Sequence, residues 1–508
     1  MTEPTNDPLE RFRNVLGTQL GLAFEDERMG QLSEVFEERV ATHGGDADSY
    51  LDELASEPSS EELASIARRV TVPETYFFRH KQQFDALRAI LIRDHRPTAP
   101  PRLLSAGCAS GEEAYSLVMM LRELWPDRAP SVVAADVNPA ILDRARAARY
   151  SSWSLRDTPE PIAERWFRKD GREFVLDDEI RRSVRFVRAN LAAEQPELLA
   201  PDSFDIIFCR NCLMYFTPEN FRAAVRRLSR ALVPEGYFFM GSAETLRGVS
   251  HDFHLRHTHD TFYYQRKSVR ELSQPAPPLP SDRPPWRLPP PEVEAKAWVE
   301  EIGRAAARIA ALTEEPEPAS RASRRAHDRT SLDLGPALDL LHKEQFSEAL
   351  AEVRALPADA ASDPEAMLLE AVLLASASRF DEAERVCQRL LAVDELNAGA
   401  HYVLALCCAG GGRLERAVHY DRVATYLDPG FAMPRLHLGL MLRREGERAA
   451  AREELAQARA LLEREDGARL LMFGGGFNRH ALLALCDAEL ELTSGVPPRG
   501  ARTLRGGN

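Results

Sequence analysis

Arg102-Leu-Leu-Ser-Ala-Gly-Cys-Ala-Ser-Gly-Glu-Glu-Ala-Tyr-Ser-Leu-Val-Met-Met-Leu-Arg-Glu-Leu124 decides how the first half of this chain folds. Arg102–Ala106 reads as a short apolar strand that runs into a loop of small residues, and Glu112–Leu124 reads as a helix. Ligands of open parallel sheets bind beyond the carboxyl ends of the strands, so this loop is where a site is expected. Gly107 and Gly111 let the backbone come close to a ligand. Their spacing is not the Gly-x-Gly-x-x-Gly of dinucleotide binders. Where a pyrophosphate would need amides stand Glu112 and Glu113, which repel phosphate and attract a cation. Taken singly, either glutamate reads equally well as an acidic first helical turn favoured by the macrodipole.

Outward from this stretch the character alternates. Ser131–Ala135 is an apolar strand ending at Asp136, and Pro139–Ala148 is helical. Ser183–Val187 and Asp205–Cys209 are strands, and Pro218–Leu232 is helical. Gly236–Met240 is a strand after a Pro-Glu-Gly turn, and Thr261–Tyr264 is a last apolar strand. Strands alternating with helices over 102–268 predict an α/β fold with a mostly parallel sheet. Asp136, at the end of the second strand, is placed to accept from sugar hydroxyls. It reads alternatively as the N-cap of the helix at Pro139, a role Asn138 fills equally well.

Upstream, residues 8–70 read as a small helical domain. Leu9, Phe12, Val15 and Leu16 recur at helical spacing, as do Met29, Leu32, Val35, Phe36 and Val40. Ser59-Ser-Glu-Glu62 before Leu63, Ile66 and Val70 predicts a capped helix start. Downstream the composition changes sharply. Nine of the eighteen residues from Gln274 to Pro291 are proline, which predicts an extended spacer. An amphipathic helix is expected over Glu292–Leu312, and polar sequence over 314–331. The last third repeats: Phe346-Ser-Glu-Ala349, Phe380-Asp-Glu-Ala383 and Leu414-Glu-Arg-Ala417 lie 34 residues apart, and Ala451 continues the ladder. Asp394 and Asp428 keep one offset. A 34-residue period with a small alanine per unit predicts a tetratricopeptide-type α-helical solenoid. A closing helix is expected from Leu470–Phe473 and Ala481–Leu490.

Composition narrows the function. The chain has 508 residues and a net charge of −14, which disfavours nucleic acid as a partner. Two arginine runs, Arg181, Arg182, Arg185 and Arg188, then Arg222, Arg226, Arg227 and Arg230, read as solvated faces or as attractors of an acidic protein substrate. The first residues have neither the basic start nor the apolar core of a secretory leader, and no apolar run reaches the roughly 20 residues of a membrane span. Seven scattered cysteines fit reduced thiols in a cytoplasm. Cys209 and Cys212 form a lone Cys-x-x-Cys, read as buried thiols rather than a zinc or redox site. His251, His254, His257 and His259 lack a closed ligand spacing and read as a polar strand or loop, so no metal is expected. In Phe204-Asp-Ile-Ile-Phe-Cys-Arg-Asn-Cys-Leu-Met-Tyr-Phe216, a buried strand delivers Arg210, Asn211 and Tyr215 to the expected site.

Four motifs appear in order: Thr71-Val-Pro-Glu-Thr-Tyr-Phe-Phe-Arg79 with Phe84, Gly107–Ser116, Phe208–Phe216, and Gly241-Ser-Ala-Glu244. Over roughly residues 10–268 the chain resembles the CheR family of chemotaxis receptor methyltransferases. The resemblance implies a Rossmann-like methyltransferase domain preceded by a small all-α domain, with S-adenosylmethionine between them. The sulfonium and ammonium of that cofactor suit an acidic loop. It implies that Thr75 and Arg79 contact the cofactor from the domain junction, that Glu113 binds its methionyl part and that Asp136 binds its ribose. Asn190 and Leu191 would lie near the adenine, Arg210 and Asn211 would close the pocket, and Tyr215 would lie near the transferring methyl. Pro73 and Ala114 stand where the family often has Asn and Pro. The family's inserted antiparallel subdomain, which docks a receptor tail in some members, is expected at Arg172–Arg188.

The expected organisation is therefore a helical domain over 1–80, a methyltransferase domain over 81–268, a linker over 269–331, repeats over 332–466 and an extension over 467–508. The implied reaction is methyl esterification of glutamates on receptor coiled coils, with Arg79 and Tyr215 the catalytic candidates. Arg79 reads alternatively as half of a plain interdomain ion pair. The repeats would bind a protein or peptide partner, and the enzyme would be cytoplasmic, drawn to membrane receptor arrays. Against this stands a scaffold or sensor that binds the cofactor without transferring methyl.

Overall fold

The computed structural model describes residues 7–24, 28–56, 59–71, 74–94, 100–241, 244–273, 334–343, 345–357, 360–475 and 477–493. The proline-rich spacer, the helix expected at 292–312, the polar stretch 314–331 and Pro73 lie outside them. The chain divides into two units, Met1–Pro280 and Ser281–Asn508.

The first unit opens with four helices: α1 (Pro8–Gln19), α2 (Met29–Thr42), α3 (Ala47–Ser56) and α4 (Ser60–Val70). Ser59 caps α4 as its sequence predicts, its hydroxyl accepting from the Glu62 N–H at 3.1 Å. Phe12, Leu16, Leu32, Val35, Tyr50, Leu51 and Ile66 form one buried cluster. Inside it Glu62 accepts from the Tyr50 hydroxyl (2.7 Å) and from Arg39 Nε (2.9 Å), so the charge taken out of water is paired.

After α5 (Lys81–Asp94) comes the α/β fold: β1 (Leu103–Ala106), α6 (Glu112–Leu124), β2 (Val132–Asp136), α7 (Pro139–Ala147), β3 (Arg149–Tyr150), α8 (Glu160–Trp166), β4 (Phe167–Asp170), β5 (Glu173–Leu176), α9 (Asp178–Arg182), β6 (Val184–Arg188), β7 (Phe204–Cys209), α10 (Pro218–Ala231), β8 (Leu232–Met240), β9 (Phe253–Thr258), β10 (Thr261–Arg266) and α11 (Val269–Leu272). The seven-stranded sheet has the order β6-β2-β1-β7-β8-β10-β9. Its first five strands are parallel, and β10 is antiparallel to both neighbours. The strand order reverses at β1, and the crevice beyond its carboxyl end opens there. Buried on both faces, β1 and β7 are the apolar runs that the sequence shows.

Two expectations are corrected. The antiparallel subdomain is not at 172–188. Strands β3, β5 and β4 form a separate three-stranded sheet from residues between Arg149 and Leu176, whereas β6 pairs in parallel with β2 and is an edge of the main sheet. Short charged strands such as Phe-Arg-Lys-Asp over Phe167–Asp170 carry no alternating apolar signal. The Pro-Glu-Gly turn also fails to start β8. The strand begins at Leu232 and absorbs the turn as an irregularity opposite Phe204–Ile206, with Glu235 at φ +64°.

In the second unit, helices Phe346–Arg354, Phe380–Val393, Leu414–Leu427 and Arg448–Leu462 begin 34 residues apart, in the predicted register. Helices Pro364–Ser376, Ala398–Gly410 and Ala432–Glu445 alternate with them at the same interval. Ala349, Ala383, Ala417 and Ala451, one in each of the helices that begin 34 residues apart and at the same offset, are fully buried. Ala417→Leu should therefore overpack its surroundings and lower stability by about 1–3 kcal/mol in denaturant unfolding. Beyond the ladder lie two helices, Gly467–Phe473 and Arg479–Thr493, in place of the single closing helix. Phe473 packs on Tyr402 and Phe431.

Candidate active site

The loop after β1 reaches the site because Gly107 adopts φ +74°, and a Cβ there would stand 2.7 Å from Cys212 Sγ. Five further contacts join the helical layer to the sheet and shape the opposite wall. Asn190 Nδ2 donates to the Gln19 carbonyl (2.7 Å), and Asn220 Nδ2 to that of Gly17 (2.8 Å). The Ala23 N–H donates to the Tyr215 carbonyl (2.7 Å), Thr217 N–H to Gly21 (2.8 Å), and Asn138 Nδ2 to Thr71 Oγ1 (3.0 Å). Between the walls lies a cleft of about 1030 Å³, open mouth included.

Thr75, Arg79, Glu113, Asp136, Asn190, Leu191, Arg210, Asn211 and Tyr215 all line this cleft. The nine residues that the resemblance implies for the site are thus brought together there, whereas Glu112 and Gly111 do not line it. Glu113, at the start of α6, is buried; its two oxygens accept from Ser105 Oγ (2.7 Å) and Arg210 Nε (2.6 Å). Arg210 continues the network, donating from Nη1 to the Arg79 carbonyl (2.6 Å) and to Gln83 Oε1 (2.9 Å). Gln83 Nε2 donates in turn to the Met240 carbonyl at 2.7 Å. Neighbouring His80 stays neutral at pH 7: burial, then the charges of Arg210 and Arg79, push its pKa down to about 4.

Asp136 accepts from the N–H groups of Ala109 (3.0 Å) and Asn138 (2.9 Å), and burial raises its pKa. Asn138 is the N-cap of α7, accepting from Ala140 and Ile141, so the cap role does not fall to Asp136. Arg79 Nη1 donates to the Glu74 carbonyl (2.9 Å), and its guanidinium lies 5.6 Å from the Tyr76 ring centroid. Among the described residues no carboxylate pairs with it.

The adjacent glutamates separate cleanly. Glu112 is buried away from the cleft, accepts from Ser110 Oγ (2.7 Å), and has its pKa raised by burial. A carboxyl whose folded pKa lies above its unfolded value loses stabilising contribution as pH rises through the folded pKa. Glu112→Gln should therefore gain melting temperature over wild type at pH 8, a gain absent below about pH 4 where both states are protonated. Cofactor affinity should not change, and a calorimetric titration beside the melts checks it.

Sequence reasoning missed Ser105, Gln83 and the role of Glu244, whose carboxylate fastens the loop after β7. It also buried Cys212, which is half-buried and lines the cleft, while Cys209 is fully buried. The histidines lie on and around β9: His254 Nε2 is 3.0 Å from Glu271 Oε1, and His257 packs on Phe262. Among the described residues no group of three or more His, Cys, Asp or Glu could hold a metal ion. Of the arginine runs, Arg181 pairs with Asp178 (2.8 Å) and Arg227 with Glu194 (2.9 Å), as local surface pairs do.

Comparison with known proteins agrees with this geometry. The mixed, mostly parallel sheet with a carboxylate-lined cleft at the strand reversal is of the class that binds a ligand there, and the chain's family match makes that class the S-adenosylmethionine-binding methyltransferases. Residues 73–262 match the family described as "CheR methyltransferase, SAM binding domain". The chain is 34% identical over 265 residues to chemotaxis protein methyltransferase 2 of Vibrio cholerae, covering 50% of this chain and 91% of that protein. It therefore belongs to the CheR methyltransferase family. It is also 28% identical to the probable biofilm formation methyltransferase WspC of Pseudomonas aeruginosa, over 90% of this chain and all of that protein. Among solved structures, PcrH from Pseudomonas aeruginosa is similar at 21% identity and a TM-score of 0.23, over 28% of this chain and 96% of that one. No helix among the described residues is long and apolar enough to cross a membrane.

Proposed function

We propose that this methyltransferase esterifies glutamate side chains on chemotaxis-type receptors, with the repeats binding a protein or peptide partner. The observation that carries the reading is the cleft itself, whose lining brings Glu113, Asp136, Arg79 and Tyr215 to one space. Its donor set suits S-adenosylmethionine: carboxylates for an ammonium and a ribose, and a glycine loop that lets the backbone approach. When bound, that cofactor supplies the methyl group, on a positively charged sulfur. Glu113 holds the methionyl ammonium side, Asp136 accepts from ribose hydroxyls, and Asn190 and Leu191 flank the adenine. Thr75, Arg210 and Asn211 close the pocket. A glutamate with a pKa of about 4.3 is already ionised at neutral pH, so the chain needs no general base. Its task is orientation and exclusion of water: Arg79 aligns the incoming carboxylate, and Tyr215 stands beside the methyl.

In this reading residues 1–80 form one wall and 81–268 the catalytic fold. Residues 269–331 are a spacer, 332–466 the repeats and 467–508 an extension. Stacked helix pairs offer extended surfaces for peptides, which supports a role in bringing a cytoplasmic enzyme to receptor arrays. The relative named for biofilm formation, matched along its whole length, supports a receptor whose output is not confined to swimming. The test is methyl transfer from tritiated donor to receptor-bearing membranes. The expected product is label released as methanol by mild alkali. Label that resists alkali would point to another acceptor, and cofactor binding without label would favour a scaffold.

A further inference from the structure

We propose that Glu244 is a positioning residue for methyl transfer, fixing the loop that brings Asn211 and Tyr215 to the cleft; this rests on the reading of the site above. Glu244 is buried, at 3% exposure, and does not line the cleft. Its Oε2 accepts from the N–H groups of Gly241 and Asn211, both at 2.8 Å. Its Oε1 accepts from those of Cys212 and Met214, both at 3.0 Å. Both oxygens are thus occupied inside the chain, and three of the four donors belong to the segment that follows β7. That segment includes Asn211 at φ +52°, the left-handed region that asparagine enters more readily than most residues with a side chain. It ends in the tight turn Leu213–Tyr215, whose Tyr215 carbonyl is held from the other side by the Ala23 N–H. The clamp is close-packed: a Cβ on Gly241 would lie 2.8 Å from Glu244 Oε2 and 2.9 Å from the Asn211 nitrogen.

Without the carboxylate these N–H groups lose their acceptor and the turn relaxes. A displacement of about 1 Å at a reacting site costs on the order of 100-fold in rate. Glu244→Gln keeps the shape but offers one acceptor oxygen instead of two. In the full chain, turnover per site that binds S-adenosylhomocysteine should fall about 100-fold, while KM for the receptor changes less than about threefold and product affinity, through Asn211, falls less than about tenfold. A merely structural role would lower the number of binding sites and leave turnover per site alone; that result overturns the proposal. The double variant Glu244→Gln, Tyr215→Phe should lose no more than the worse single variant, and multiplied losses also overturn it. If Glu244→Gln does not fold, Glu244→Asp keeps the charge with shortened reach, and wild-type turnover per site in it refutes the proposal. Absence of transfer by wild type would instead refute the reading of the site.

Discussion

Glu113→Ala is expected to weaken binding of S-adenosylmethionine by at least about 100-fold and to destabilise the first unit by about 3–5 kcal/mol. Both effects have one source. Glu113 and Arg210 are both buried, and the carboxylate is the charge that balances the guanidinium. Removing one partner of a buried pair leaves the other uncompensated, which costs more than the pair contributes in net stability. Arg210 then pulls on the Arg79 carbonyl and on Gln83, and through Gln83 on the end of β8. Glu113→Gln keeps an acceptor for Ser105 or Arg210 and should lose less stability than Glu113→Ala, but it too leaves the guanidinium unbalanced and carries no charge for an ammonium. Melting curves and product titrations of both variants, run well below their melting points, check this. An affinity within threefold of wild type in Glu113→Gln would remove Glu113 from the cofactor site.

Arg79→Ala carries the second large effect, and it is of the opposite kind. Among the described residues the side chain makes one hydrogen bond to a backbone carbonyl and one contact with the Tyr76 ring, and pairs with no carboxylate. Stability should therefore change by less than about 1 kcal/mol. Turnover should fall about 100-fold, because the acceptor carboxylate loses the group that aligns it, while affinity for S-adenosylhomocysteine falls less than tenfold. Arg79→Lys should recover part of the loss at most, since an ammonium gives a point charge and not a planar fork. Alkali-released methanol is the readout, and unchanged turnover in Arg79→Ala would take it out of the mechanism.

The contrast between these residues also shows where the sequence could be read and where it could not. Strands β1 and β7 announce themselves because burial on both faces demands an unbroken apolar run, and the small-residue loop before Glu112 marks the carboxyl edge. Asn138 before Pro139 offers a cap as good as Asp136, and the structure chooses it and so frees Asp136. The 34-residue ladder is legible because each stacked pair repeats the same demand for a small buried alanine. The three-stranded sheet was misplaced because β3 and β4 are short and charged, so nothing in their pattern distinguishes them from a loop. Glu112 and Glu113 look alike in sequence; only the direction each leaves α6 assigns one to the core and the other to the cleft. Gln83 and Glu244 escaped for a different reason. Their partners, Arg210 and the backbone of Asn211–Met214, become neighbours only when the sheet closes. No local period records that. Cys212 was read as buried because a lone Cys-x-x-Cys fits neither a zinc nor a redox site, yet Gly107 lets the β1 loop pass beside its sulfur and leaves it on the cleft wall.

The most direct test is calorimetric titration of the purified full chain with S-adenosylhomocysteine. The account predicts saturable binding of one molecule per chain, abolished in Glu113→Ala and retained in Glu112→Gln. A flat titration of the folded wild-type protein would contradict it, whatever else the two units bind.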